Sequence, residues 1–290
     1  MSRPGEGGQP ERPGHPGRRE RPGRPRRGGR QPAPMWHFGE PVAPLAALLA
    51  RGGLLAIPTE SSYGLAALPG SAAGVEAIYR LKRRERGKPL PVVIACLDQL
   101  AGLGIRRDLP ILGPLSAFWP GPLTAVLPLA GAGAAGSAGS AGSDHPAGSD
   151  PPAGPVIPLP AAAGLGSLAI RIPGHPQLLA LLSELGHGLT ATSANRSGGE
   201  PLLDPRLAAE LLAGEPAMVV DGGILPGGLP STLVAAVAGA APGGGWGVAV
   251  LRAGRLPVER LREGLHVVGA SPATRDDREQ RQRLAGCGDK

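Results

Sequence analysis

The apolar residues of this chain come in short runs of three to six, and stretches with helical spacing lie between these runs. Short runs rich in Val, Ile and Leu favour buried strands. Strands that alternate with helices are typical of an α/β fold. We therefore predict strands over residues 54–57, 91–95, 124–129, 167–172, 189–192, 218–220, 231–236 and 246–251.

Helices are predicted between these strands. Asp204 followed by Pro205 is a good helix start, because Asp caps free backbone N–H groups and Pro suits the first helical position. The spacing of apolar residues predicts the other helices, which cover 71–81, 109–118 and 176–185, and Pro257 opens a last short one. Together the elements predict a single α/β domain over residues 35–268.

Glycine, proline and charge are concentrated outside this domain. Residues 1–34 carry nine Arg and three Glu, which accounts for six of the net charge of +7. Both this basic Pro/Gly/Arg-rich tail and the charged tail 269–290 have few apolar residues, so we predict that 1–34 is disordered and that 269–290 is flexible. The first tail either attracts RNA weakly, or is a solvated extension, or precedes a true start at Met35. A low-complexity insertion over about residues 130–164 is predicted not to pack.

Several classes of protein are excluded. No apolar run reaches the roughly 18 residues that a membrane span needs, and no secretory signal follows the first arginines. Cys96 and Cys287 are the only cysteines, which suits a reducing compartment, so we predict a cytoplasmic protein without a membrane partner. Gly131, Gly133 and Gly136 spell GxGxxG, but no helix follows to hold a pyrophosphate. The six His and two Cys show no metal-ligand spacing, so the ligands of any metal remain unknown.

Three polar clusters follow predicted strands, where open α/β sheets form ligand clefts. They are PTESSYGL over 58–65, TSANRSG over 192–198, and DGG over 221–223 with PST over 230–232. Small hydroxyl and amide side chains beside glycines suit the close approach of a polar ligand. The same residue types also favour ordinary turns, so one cluster alone does not distinguish a ligand-binding loop from a turn.

A cationic segment, KRRERGKPL over 82–90, follows the helix predicted at 71–81. If the chain is extended there, Lys82, Arg84 and Arg86 share one side and form a cationic face for a polyphosphate. The alternative is a solvated run of charges.

Eight collinear segments identify a resemblance. They are PTESSYGL (58–65), KRRERGKPL (82–90), WPGPLT (119–124), SLAIRIPGHP (167–176), TSANRSG (192–198), DGG (221–223), PSTLV (230–234) and LRAGRL (251–256). In this order, over about residues 45–260, they resemble the YrdC-like family, the threonylcarbamoyl-AMP synthases also called TsaC, in its short single-domain form. The resemblance implies a twisted open mixed sheet with flanking helices and a concave cleft.

The resemblance also implies the site. The ATP-binding residues would be Lys82, Arg84, Arg86, Ser167, Ser193, Asn195 and Arg252, and the L-threonine-binding residues Thr59, Arg171 and Ser231. Lys82 and Arg84 would stabilise charge on the phosphates, and no covalent catalytic residue is assigned. Mg²⁺ is expected as the counter-ion of ATP.

The activity implied by the resemblance is the synthesis of L-threonylcarbamoyladenylate and pyrophosphate from L-threonine, bicarbonate and ATP. This product serves the N6-threonylcarbamoyladenosine modification at position 37 of tRNAs that read ANN codons, with tRNA and the downstream threonylcarbamoyl-transfer proteins as partners. One alternative is a non-catalytic RNA-binding or ribosome-associated module on the same fold. Another, a carbamoyl-adenylate synthase for metallocentre assembly, is disfavoured because the chain has only two cysteines.

Overall fold

A computed structural model describes residues 30–131 and 159–268. The chain divides into two units, residues 1–30 and 31–290, and the described helices and strands all belong to the second. Most of the predicted first tail, the tail 269–290, and residues 132–158 of the predicted insertion lie outside the described residues. So do Gly133, Gly136 and Cys287.

Twelve strands occur within the described ranges. They are β1 (Met35–His37), β2 (Leu54–Pro58), β3 (Tyr63–Ala66), β4 (Val92–Val93), β5 (Leu123–Pro128), β6 (Ser167–Arg171), β7 (Leu189–Thr190), β8 (Thr192–Ser193), β9 (Ala217–Asp221), β10 (Thr232–Ala241), β11 (Gly245–Arg252) and β12 (Val267–Val268). Every predicted strand is present, although the one predicted at 91–95 shrinks to two residues. β1, β3 and β12 were not predicted.

The strands form two mixed sheets. The first has the order β1-β9-β2-β3-β8 and the second the order β12-β11-β10-β5-β6-β4-β7. The α/β class with mixed pairing is thus confirmed, but the expected single sheet divides in two. The division falls at Ala191, because β7 pairs with β4 in the second sheet whereas β8 pairs with β3 in the first.

Six α-helices flank the sheets within the described residues. They are α1 (Ala43–Ala50), α2 (Ala72–Lys82), α3 (Leu112–Ser116), α4 (Pro176–Leu185), α5 (Pro205–Leu211) and α6 (Val258–Arg262). Asp204 caps α5 as predicted, with its side chain accepting a hydrogen bond from the Arg206 N–H. The helix predicted at 109–118 is shorter, and α1 was not predicted, because its apolar residues lack clear helical spacing. None of these helices has the length and apolar character that a bilayer crossing requires.

The end of the predicted insertion packs, which corrects the expectation for residues 130–164. Residues Pro160–Ala162 form a 3₁₀ turn whose last two alanines are buried in the core. The Ala161 carbonyl accepts a hydrogen bond from the Leu90 N–H, and its own N–H donates to the Pro69 carbonyl. Small side chains fill little volume, but they let a backbone approach its neighbours closely enough to form these hydrogen bonds.

Two apolar clusters hold the fold together. The larger packs α2, α3 and α5 against strands of both sheets, and the smaller packs α1 and α4 around Ile57, Val93 and Val220. Because strands of both sheets contribute to each cluster, the two sheets have a common core. The loops at their edges are thereby held in fixed relative positions.

Candidate active site

The cationic segment starts with a reversal of the backbone. Lys82 is the last residue of α2, and Arg83 adopts a left-handed conformation with φ of 50°. The expected extended geometry, with Lys82, Arg84 and Arg86 on one side, is therefore wrong, because the segment leaves a helix through a left-handed cap. Lys82 and Arg84 nevertheless line the same cavity.

This cavity, of about 300 Å³, lies between the end of α2 and the loop after β8. Four cationic residues and one carboxylate contribute to it, so its net charge is positive. Its lining consists of Lys82, Arg83, Arg84, Glu85, Lys88, Ser193, Asn195, Ser197 and Gly198. A positive concave surface with hydroxyl and amide groups suits a polyphosphate.

The ammonium of Lys82 is buried in the wall of this cavity, with only 3% of the residue exposed. It donates to the Ser193 carbonyl, to the Asn195 carbonyl at 3.1 Å and to Asn195 Oδ1 at 2.7 Å. Burial, together with the charge of Arg84, lowers the Lys82 pKa to about 8. Since an ammonium has three N–H groups, a phosphate would have to replace one of these acceptors.

Arg84 offers a more direct contact for an anion. Its Nη2 donates to the Pro89 carbonyl at 3.1 Å, and its Nη1 donates no hydrogen bond to a described residue. Burial lowers the pKa of this guanidinium from its usual value. Part of the guanidinium is thus held by backbone and part faces the cavity.

Arg86 has a different partner from the one expected. It lies outside this cavity, is exposed, and forms an ion pair with Glu76, with Nε 2.9 Å from Oε2. With Arg84 and Tyr79 it lines a second cavity of about 260 Å³. Its predicted contact with ATP stays a prediction.

The loop after β8 is built around Asn195. Ser193 Oγ donates to Asn195 Oδ1 at 2.8 Å, and Asn195 Nδ2 donates to the Gly199 carbonyl. The Ser197 N–H donates to the Lys82 carbonyl at 2.9 Å, which ties the loop to the end of α2. Sequence reasoning joined Lys82, Ser193 and Asn195 only through the family resemblance, whereas the structure joins them by direct hydrogen bonds.

A second polar cluster contains the residues expected to bind L-threonine. Arg171, at the end of β6, donates through Nη2 to Glu60 at 2.7 Å and through Nε to the Gly121 carbonyl at 3.1 Å. Burial lowers the Arg171 pKa, although the nearby Glu60 charge opposes this shift. Glu60 was not predicted as a site residue, because nothing in its sequence pattern distinguishes it from the rest of the cluster that contains Thr59.

Ser231 and Arg252 belong to this second cluster. Ser231 Oγ shares a hydrogen bond of 2.7 Å with Thr124 Oγ1, and Arg252 Nη2 donates to the Ser231 carbonyl at 2.9 Å. Strand pairing explains their proximity, because Thr124 and Arg252 both lie opposite Leu233. Arg252 is thus placed with the proposed threonine residues and does not line the Lys82 cavity.

Thr59 and Ser167 complete the set of predicted residues. The Thr59 hydroxyl donates to the Ser62 carbonyl at 2.8 Å within its own loop. Ser167 starts β6 whereas Arg171 ends it, a separation of about 13 Å along a strand. The structure therefore does not place Ser167 in either cluster.

Strand directions place the two clusters at neighbouring edges. Ile57, Gly64 and Ser193 lie in one row of the first sheet, and β2 runs parallel to β8 because each is antiparallel to β3. Thr59 lies two residues after Ile57, and Asn195 lies two residues after Ser193. Because β2 and β8 are two strands apart in the sheet, Thr59 and Asn195 are about 10 Å from each other. The Glu60–Arg171 ion pair then connects this edge to the end of β6 in the second sheet.

Metal-binding residues are not grouped in the part of the chain that the structure describes. No cluster of three or more His, Cys, Asp or Glu side chains could hold an ion there.

Known proteins resemble this chain in sequence. The Sua5/YciO/YrdC family model, described as "Telomere recombination", matches residues 47–254. A threonylcarbamoyl-AMP synthase of Alkalilimnicola ehrlichii is 34% identical over 183 residues, which are 63% of this chain and 81% of that protein. One from Pyrococcus abyssi is 30% identical over 230 residues, which are 79% of this chain and 58% of that protein.

Solved structures show the same fold. Sua5 of P. abyssi in complex with L-threonine has a TM-score of 0.60 and 25% identity, covering 86% of this chain and 75% of that one. YciO of Escherichia coli, at 19% identity, has a TM-score of 0.58 and covers 79% of this chain and 98% of that one. The second likeness concerns the fold alone.

Proposed function

Because this chain belongs to the Sua5/YciO/YrdC family, we propose that it is a threonylcarbamoyl-AMP synthase. It converts L-threonine, bicarbonate and ATP into L-threonylcarbamoyladenylate, pyrophosphate and water. The product supplies the N6-threonylcarbamoyladenosine modification of tRNAs that read ANN codons. tRNA and the proteins that transfer the threonylcarbamoyl group are its proposed partners.

One observation carries the proposal: Lys82, Arg84, Ser193 and Asn195 line one positive cavity, and the loop that carries Thr59 leaves the first sheet at the same edge as the loop after β8. A triphosphate and an amino acid would then lie side by side. The names of the relatives, and the L-threonine bound in a Sua5 structure, support this assignment of ligands.

The proposed chemistry needs positioning and positive charge more than a nucleophilic side chain. The amine of threonine and bicarbonate form a carbamate with loss of water, and a carbamate oxygen attacks the α-phosphorus of ATP. The bond from that phosphorus to the oxygen bridging the α- and β-phosphates breaks, and pyrophosphate leaves. Arg84 would neutralise charge on the phosphates, as cationic residues do in phosphoryl transfer.

Lys82 and Arg171 have separate proposed roles. Lys82 holds the loop of Ser193 and Asn195 at the cavity wall, and Arg171 pairs with the carboxylate of threonine. Mg²⁺ arrives with ATP as the counter-ion of its phosphates, and no step here depends on a ligand that the protein supplies to it.

The test measures pyrophosphate release by the full chain with ATP, L-threonine and bicarbonate, and detects the adenylate by mass spectrometry. Arg84→Ala should lower turnover by about 100-fold or more, because a charge that stabilises the transition state is removed. Arg107→Ala is the matched control, since Arg107 is exposed, pairs with Asp98 and lies outside the cavity.

Two outcomes would contradict the proposal. Absence of threonine-dependent pyrophosphate release from the folded wild-type chain would favour the non-catalytic RNA-binding module. Equal turnover of Arg84→Ala and Arg107→Ala would contradict the assignment of Arg84 to the phosphate site.

A further inference from the structure

Glu60 is an acidic residue at the centre of the second polar cluster. Its carboxylate accepts from Arg171 Nη2 at 2.7 Å and from the Gly174 N–H, while Arg255 Nη1 donates to its carbonyl at 3.3 Å. Only 17% of the Glu60 side chain and 13% of the Arg171 side chain are exposed. The pair is therefore largely withdrawn from water.

Stability alone is a poor reason for such a pair. Removing two charges from water costs free energy that their attraction barely recovers, so a largely buried ion pair contributes little net stability. Its clearer consequence is geometric, because a planar guanidinium with two fixed N–H groups cannot turn. Glu60 and the Gly121 carbonyl fix Nη2 and Nε of Arg171 in this way.

The remaining donor group of Arg171 is available to a ligand. Nη1 donates no hydrogen bond to any residue within 30–131 and 159–268. Every buried side-chain nitrogen or oxygen in these ranges, by contrast, has a hydrogen-bond partner. Nη1 is thus not sealed inside the protein. Thr124 and Ser231, which share a hydrogen bond, lie at the same strand ends as Arg171.

We propose that Glu60 is a positioning residue for the amino-acid substrate, holding Arg171 so that Nη1 faces the carboxylate of L-threonine. This inference rests on the proposed function. Glu60 also joins the loop that carries Thr59 to the end of β6, so the ion pair fixes threonine-binding residues of both sheets relative to one another.

Gly174 supplies an independent way to disturb the Glu60 carboxylate. A Cβ atom added at Gly174 would lie 3.0 Å from Glu60 Oε1 and 3.6 Å from the Gly121 Cα. Gly174→Ala should therefore push the carboxylate from its place while leaving its charge unchanged. The glycine keeps this space clear.

The test is a steady-state comparison of wild type, Glu60→Gln and Gly174→Ala, with pyrophosphate release as readout. Glutamine has the size of Glu60 but cannot accept from both partners without turning an amide N–H toward one donor. KM for L-threonine should rise about 10-fold or more in both variants, because a misplaced Arg171 loses its substrate contact. KM for ATP, and kcat at saturating threonine, should stay within about 2-fold of wild type.

Glu215→Gln is the matched control. Glu215 is similarly buried, at 14% side-chain exposure, and pairs with Arg80 rather than with a residue of the site. This variant should leave both KM values unchanged. A threonine KM that rises equally in the Glu60 and Glu215 variants would indicate a general structural effect and overturn the proposal.

Direct binding keeps the proposal testable when turnover is poor. Calorimetry with L-threonine and with L-threonine amide, which lacks the carboxylate, measures how strongly the protein distinguishes them. In Glu60→Gln, the ratio of the Kd for L-threonine amide to the Kd for L-threonine should fall about 10-fold. A purely structural defect would instead weaken the binding of both ligands by the same factor.

The two hypotheses fail differently. Wild-type protein without threonine-dependent pyrophosphate release contradicts the proposed function. Normal wild-type turnover, with unchanged threonine KM and unchanged ligand preference in Glu60→Gln, contradicts the role of Glu60 alone.

Discussion

At the scale of single residues, the buried ammonium of Lys82 links protonation to ligand binding. Three acceptors from Ser193 and Asn195 surround it, and burial lowers its pKa to about 8. Above that pH the free protein loses a positive charge from the wall of the cavity. A bound triphosphate favours the charged form, so phosphate affinity and protonation of Lys82 are coupled.

The pH dependence follows from the sign of this shift. As pH rises through about 8, kcat/KM for ATP should fall, approaching a tenfold decrease per pH unit, because only the charged form binds well. Lys82→Arg keeps its charge and should remove the fall. Dividing each wild-type value by the Lys82→Arg value at the same pH cancels the changing proportion of bicarbonate.

NMR gives the Lys82 pKa directly. The chain has three lysines, Lys82, Lys88 and Lys290, so labelling lysine side chains with ¹³C yields three signals. The one that Lys82→Arg removes should titrate near pH 8. A midpoint above 10 for that signal, or the same pH profile in both proteins, would contradict the coupling.

At the scale of secondary-structure elements, the junction of the two sheets relies on one hydroxyl. Thr190 is fully buried at the end of β7, its N–H donates to the Ala67 carbonyl at 2.9 Å, and its Oγ1 accepts from the Ala67 N–H at 2.8 Å. The Ala191 N–H, by contrast, donates to the Pro91 carbonyl at 2.8 Å. The two Thr190 bonds join β7 to the end of β3, and the Ala191 bond joins it to the residue before β4, just before the chain enters β8.

Thr190→Val tests this junction. Valine has nearly the same shape but leaves the buried Ala67 N–H without an acceptor, so the free energy of unfolding should fall by about 1–3 kcal/mol. Chemical denaturation measures the change. Thr192→Val, two residues away, should change it by about 0.5 kcal/mol or less, because the Thr192 hydroxyl bonds to no described residue. Equal losses in the two variants would show that the hydroxyl of Thr190 is not what stabilises the junction.

At the scale of the whole molecule, the folded unit begins before the predicted boundary at residue 35. The Ala33 N–H donates to the Ala209 carbonyl at 3.0 Å, and the Pro34 carbonyl accepts from the Val219 N–H at 2.9 Å. Ala33 is buried against the core. Pro34 therefore extends the edge of the first sheet ahead of β1, and Ala33 ties this edge to α5.

Two deletion variants distinguish the effect of losing the basic tail from the effect of losing this sheet edge. Removing residues 1–30 should leave threonine-dependent pyrophosphate release and the free energy of unfolding unchanged, since the lost residues lie outside the second unit. Removing residues 1–34 should lower the free energy of unfolding by about 1–3 kcal/mol through the two lost hydrogen bonds. A large loss of turnover in the shorter deletion would instead assign the tail a part in synthesis.

The sequence by itself determined the α/β class, all eight predicted strands, the cap of α5 and, through the family resemblance, the candidate residues. Strand runs and helix caps are local patterns, because the alternation of side chains and the free N–H groups of a first turn depend on neighbours in the chain. Lys82 and Asn195 were found together for another reason: each lies in a segment that resembles the family.

Only the tertiary structure decided how those residues meet. Glu60 and Arg171 are 111 positions apart in the sequence, so no local pattern predicts their ion pair. Likewise, strand register places Arg252 beside Ser231, and Arg86 forms an ion pair with Glu76 of α2 outside the Lys82 cavity. Contacts between distant segments depend on which strands pair and where a sheet divides, and packing of the common core fixes both.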